Sequence, residues 1–173
     1  MAFVADLPIN YNILSPVGYK LDIVKLPAVS YFCQSANIPD ISLGTITRPS
    51  PLRDIPEPGD TIEMGSFEVS FLVDEDLYNY IEILTWIRGL GSMPSLASYR
   101  KLVSEDLGLK STTDITLTIL TNSMNSNKTV NFTNCFPTSL GSISFMSTTE
   151  SIDAITCDVS FAYVDFTISN EVI

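Results

Sequence analysis

The sequence predicts a mainly β, mostly antiparallel fold, a barrel or a sandwich, with one flanking α-helix. Three patterns carry that expectation. Apolar and polar residues alternate with the two-residue period of a half-buried strand around Phe67, around Leu117 and through 154–168. Helical spacing is clear at one place, where Leu77, Tyr80, Ile81, Leu84 and Ile87 recur with Trp86 beside them. Between these stretches, prolines, glycines and Ser/Asn clusters punctuate the chain at turn positions.

Taken in order, residues 1–17 form an extended N-terminal arm, because Pro8 and Pro16 break any helix. Residues 18–26 alternate Tyr19, Leu21 and Ile23 against Lys20 and Asp22, a strand that Leu26-Pro27-Ala28 turns. The stretch from Val29 to Ala36 is then expected as its hairpin partner, and 41–48 as a further strand after the break at Pro39. Four prolines and Gly59 within 49–60 stiffen a projecting loop, part of an arm over 44–62 that carries Arg48, Arg53, Asp54, Glu57 and Asp60. Phe67, Val69, Phe71 and Val73 face one way in the clearest strand, 66–73, with Glu68 and Ser70 opposite. Asp74-Glu75-Asp76 suits the positive end of a helix over 76–89, which Gly89 and Gly91 terminate. A variable segment over 91–113 opens a short helix at Pro94-Ser95. Strands return at Ile115–Ile119 and from Val130, interrupted by Pro137. In the last strand the apolar phase slips by one residue after Tyr163, so it bulges or changes partners.

Composition excludes several function classes. At 173 residues, 45% hydrophobic and 17% charged, the chain is a single domain able to bury a core without disulfides. Its net charge of −11 is the wrong sign for gripping phosphates, which weighs against an oligonucleotide-binding barrel despite 10% aromatics. Without any histidine, the common nucleophilic triads and imidazole metal sites cannot form. Cys33, Cys135 and Cys157 stand far apart in apolar strand contexts and read as buried thiols. Asp158 and Asp165 are too distant for a carboxylate dyad within one strand, and Gly89-Leu-Gly91 follows a helix, unlike a phosphate cradle. No catalytic residue, metal site or cofactor is expected. Neither a signal peptide nor an apolar run of about 18 residues appears, so no membrane anchor is expected.

The order of segments resembles the tail tube protein family of contractile-tailed, T4-like phages. The resemblance lies in Tyr19–Val24, then Tyr31-Phe-Cys-Gln-Ser-Ala-Asn-Ile-Pro-Asp-Ile-Ser-Leu, then Ile55-Pro-Glu-Pro-Gly-Asp-Thr. It continues through Phe67-Glu-Val-Ser-Phe-Leu-Val-Asp-Glu-Asp, the Trp86 helix, and Phe132-Thr-Asn-Cys-Phe-Pro-Thr-Ser-Leu before the final strand. Together these cover most of 18–168; residues 1–17 and 91–113 depart from the pattern. The resemblance implies a virion component assembled in the host cytoplasm, with homo-hexameric stacked rings whose sheets join around a lumen for DNA. It implies sheath, baseplate and tape-measure proteins as partners, and the 44–62 arm as an inter-ring contact. Baseplate or hub proteins that reuse the fold are the alternative. Glu68 and Asp158, polar alternates on apolar strands, are the expected lumen-facing acids.

Overall fold

The computed structural model describes residues 12–91, 112–146 and 154–170. The expected helix at Pro94-Ser95, and the first eleven residues of the arm, lie outside them. In chain order the elements are β1 (Tyr19–Ile23), α1 (Pro27–Tyr31), β2 (Cys33–Ala36), β3 (Ile41–Arg48), β4 (Ile55–Met64) and β5 (Phe67–Leu72). They continue with α2 (Tyr78–Gly91), β6 (Thr113–Leu120), β7 (Ser126–Leu140), β8 (Thr156–Ala162) and β9 (Asp165–Asn170).

Every strand pair is antiparallel. The main sheet runs β1-β6-β7-β8-β5-β2, with β9 also on β7. It is a sandwich whose two leaflets share one long strand, and it does not close into a barrel. The first part of β7 pairs with β6 and β9, and its last part, from Phe136, pairs with β8. The change occurs at Asn134, whose φ of 54° is a left-handed turn that asparagine tolerates. Asp114 Oδ1 accepts its N–H at 2.9 Å. Opposite this bend the chain passes from β8 to β9 at Tyr163-Val164, where the Val164 N–H donates to the Thr133 carbonyl at 3.0 Å. The phase slip after Tyr163 is therefore a change of partner at a corner.

Inward-facing residues of both leaflets merge into one core. Phe67, Phe71, Phe132, Phe161, Ile115 and Val130 are fully buried. Phe132 sits at its centre, with ring centroids 4.4 Å from Phe67, 5.2 Å from Tyr163 and 5.7 Å from Phe166.

Several sequence expectations need correction. Val29–Ala36 is not the hairpin partner of β1. Pro27 occupies the first turn of α1, where its missing N–H costs nothing. Ser30 Oγ accepts the Ile23 N–H at 2.9 Å and locks the helix under β1. That helix carries the chain to the other leaflet, where β2 pairs with β5. The 44–62 arm is a β-ribbon, not a loop: β4 contains Pro56 and Pro58, which an unsupported edge accommodates. Gly59 faces Gly44 so closely that a Cβ would lie 2.6 Å from its carbonyl oxygen. Pro137 lies within β7 beside a register shift and does not end it.

On α2 the inward stripe is rotated from the expected one. Leu77 precedes the helix with φ 56°, and no acid stands in the first turn, so Asp74–Asp76 form the preceding turn and not the cap. Asn79, Ile83 and Trp86 are buried, Tyr80 and Ile87 pack at their side, Leu84 is half-buried and Ile81 is 50% exposed. Asn79 fixes this setting: its Nδ2 donates to the Leu72 carbonyl at 2.8 Å and its Oδ1 accepts the Tyr80 N–H at 2.8 Å. Gly89 is inside the helix, which continues to Gly91. Lys25 stands over Trp86, 4.3 Å from the ring centroid.

Phe132→Ala should lower the unfolding free energy by about 3–5 kcal/mol in denaturant titration, whereas Ile81→Ala should change it by about 0.5 kcal/mol or less. Equal losses would contradict this placement of core and helix face.

Candidate functional site

Among the described residues, the surfaces without internal use include one acidic sheet face, open strand edges and one ribbon. Each follows from local sequence. In β5 and β8 the apolar residues turn inward, so their polar alternates share the outer face. Glu68 lies opposite Ser160 and Ser70 opposite Asp158, while β2 adds Ser35 beside Ser70. The two acids expected at a lumen are thus diagonal neighbours on one face, both exposed. Asn37, which the sequence reading missed, holds the border of this face: its Oδ1 accepts the Glu68 N–H at 2.7 Å. A shallow depression of about 450 Å³ lies among Ser35, Asn37, Glu68, Ser70, Asp158 and Ser160, with no cation in its lining. The opposite outer face has a different character. It aligns Lys20, Thr118, Thr129 and Ser169 in one row and Asp22, Thr116, Asn131 and Thr167 in the next.

Among the described residues, β1, β2 and β9 each pair on one side only. The other edges of β2 and β9 present backbone donors and acceptors without a strand partner, which favour strand addition. By contrast, α1 covers part of the β1 edge: Ser30 Oγ accepts the Ile23 N–H and the Leu26 N–H donates to the Ile23 carbonyl. The β3–β4 ribbon is more exposed still: within its two strands only Gly59 is partly covered. Ile41 pairs with Met64 and Leu43 with Ile62, which puts four apolar side chains on one face, each 43–58% exposed. A free two-stranded hairpin is marginal in water, so this one is built to be covered. Of its charged residues, Arg48 and Glu57 form an ion pair at 3.5 Å; Arg53, Asp54 and Asp60 are exposed. Such an exposed pair adds little to stability and mainly sets the ribbon's surface pattern.

The geometry offers little chemistry. Glu68 and Asp158 lie on an open face, without the water-excluded cavity that acid–base catalysis uses. No group of three potential metal ligands occurs among the described residues. Burial pushes the Cys135 thiol up to about 12 and also raises Cys157, whose Sγ is 3.4 Å from the Gly141 carbonyl oxygen. Burial likewise raises Cys33. With Cys135 at that value, its thiolate at pH 8 is on the order of one part in ten thousand. Thiol labelling of the native protein at pH 8 should be slow at all three cysteines and become rapid on unfolding. Fast native labelling of Cys135 or Cys157 would contradict this packing.

Comparison with known proteins agrees with the architecture. The phage tail tube protein family model matches residues 6–169. The tail tube terminator protein of Enterobacteria phage T4 is 29% identical over 143 residues, 80% of this chain and 77% of that protein. In solved structures, the tube-terminating cap of the anti-feeding prophage superposes with a TM-score of 0.60 at 20% identity, covering 98% of this chain and 99% of that one. The sheath/tube terminator of the PVC extracellular contractile injection system gives 0.56 at 19% identity, covering 94% and 99%. With the family model matching nearly the whole chain, this protein belongs to the phage tail tube protein family.

Proposed function

We propose that this chain is a ring-forming structural subunit of a contractile phage tail, seated at the end of the tail tube. The observation that carries the ring is the pair of open strand edges on β2 and β9 together with an uncovered β3–β4 ribbon. A heterologous contact between edges of successive copies closes into a ring when the rotation per copy divides the circle. Hexamers are the form this reading takes. The ribbon, with Arg48, Arg53, Asp54, Glu57 and Asp60, is then the arm that reaches a neighbouring subunit.

The β2–β5–β8 face is assigned to the lumen, with Glu68 and Asp158 as its acids. What supports this is its lack of any cation beside two exposed carboxylates. A negative wall repels the phosphate backbone, so DNA slides without sticking. The outer wall, α2 included, meets the sheath, and tape-measure and baseplate proteins are the further partners of the assembled tail. The end position, in preference to the repeating tube or the baseplate, is supported by the T4 relative, a tail tube terminator.

Two measurements test this reading. Quantitative mass spectrometry of purified particles should give on the order of six copies per tail for an end ring; many dozens would make it the repeating tube subunit. In phage carrying Glu68→Lys with Asp158→Lys, rings should be intact by negative-stain microscopy and DNA ejection slower. Unchanged ejection would remove these residues from the lumen.

A further inference from the structure

At the tip of the ribbon, between β3 and β4, Leu52 is 98% exposed. A leucine held in open water at the end of a stiff, proline-flanked turn has no role in the fold of its own chain. On the body there is a matching recess of about 340 Å³, between the turn after β5 and the segment after β7. Leu77, Ile143, Phe145 and Ile155 give it an apolar lining, and Asp74 and Glu75 are its charged residues. Phe145 is itself 76% exposed at this site. At the small end of the volumes that take ligands, such a recess has room for a leucine side chain.

We propose that Leu52 of one copy seats in this recess of a second copy, with Arg53 meeting the carboxylates of Asp74 and Glu75. The proposal rests on the reading of the ribbon as an inter-subunit arm and names the surface that receives it. Charge supports the pairing. Arg48 is engaged by Glu57, which leaves Arg53 as the ribbon's other cation. Asp54 follows it, so the tip is neutral overall and recognition depends on position, not bulk charge. Placement supports it too. The ribbon continues β2 and β5 beyond the Asn37–Glu68 end of that pair, and the recess lies past the other end, at Val73 and Asp74. Knob and recess therefore sit at opposite ends of one strand pair, the arrangement of a head-to-tail contact between copies. With β3 spanning eight residues, the tip stands roughly 25 Å from the ribbon's base, a reach suited to a neighbouring molecule.

The test is assembly of the purified full chain, followed by mass photometry and negative-stain microscopy over a concentration series. Leu52→Asp should raise the half-assembly concentration about 10–100-fold, the order expected for losing one buried leucine per contact. Arg53→Glu should raise it less, and Arg53→Glu combined with Glu75→Arg should recover most of the loss. Circular dichroism and thermal unfolding of the three variants should match the parent, since all the altered residues are solvent-facing. In a Cys33→Ser background, Leu52→Cys with Phe145→Cys should give disulfide-linked oligomers on mild oxidation. If Leu52→Asp assembles like the parent, or the charge swap recovers nothing, the knob-and-recess contact is wrong while the ring reading stands. A parent chain that remains monomeric at every concentration overturns both.

Discussion

The fold depends on one strand serving two leaflets. β7 is fifteen residues long, and each leaflet takes part of it, β6 and β9 its first part and β8 its last. Its left-handed residue, Asn134, is held by Asp114 and turns the strand from β6 and β9 toward β8. The returning chain breaks at the same corner, between Ala162 and Asp165, so both sides of the bend stay paired. Phe132 lies just before the turn and touches aromatic residues from β5, β9 and the corner itself. A straight β7 would spread these rings over an open sheet and leave them in water.

How much of this the sequence discloses depends on whether the signal is local. The change of phase after Tyr163 is visible because side chains alternate with period two, and a single-residue slip reverses which face is apolar. The compensating bend at Asn134 is invisible to that pattern, since it depends on a dihedral angle and a distant aspartate. Pro27 is readable as a break, but only the tertiary structure decides that the next strand joins β5. The prolines of 49–60 suggest a loop because they lack donors; a ribbon with both edges free has little use for those donors. On α2, counting from Leu77 displaces the stripe, because Leu77 is not yet helical and a buried polar residue, Asn79, takes the inward place. The common face of Glu68 and Asp158 is half legible: alternation turns each outward, and only the β5–β8 register makes them neighbours. The recess at Leu77 and Phe145 has no local signature, as its walls come from three separate stretches of chain.

Folding and association are served by different residues. Core side chains such as Val29, Ile83 and Phe161 are fully buried within one molecule, so the sandwich needs no neighbour to form its interior. The unmet demands lie at its borders, in backbone edges and in the apolar face of Ile41, Leu43, Ile62 and Met64. A subunit of this kind can fold first and still gain from every contact it later makes, because those contacts bury surface that folding left exposed.

Charge sets the terms of that association. At −11, copies of this chain repel one another at long range, and only short-range contacts that desolvate apolar surface or pair strand edges can outweigh the repulsion. The distribution of charge eases the conflict. The acids of the β2–β5–β8 face stand among serines and asparagine, with no cation in the lining. On the ribbon, Arg48 pairs with Glu57 and Arg53 stands beside Asp54, which leaves Asp60 and Glu63 as its unmatched charges. The same excess of acid that hinders crowding of subunits is what a passing phosphate chain requires of the wall around it. An assembly with apolar joints and a negative inner surface satisfies both demands, and a monomer gains nothing from either.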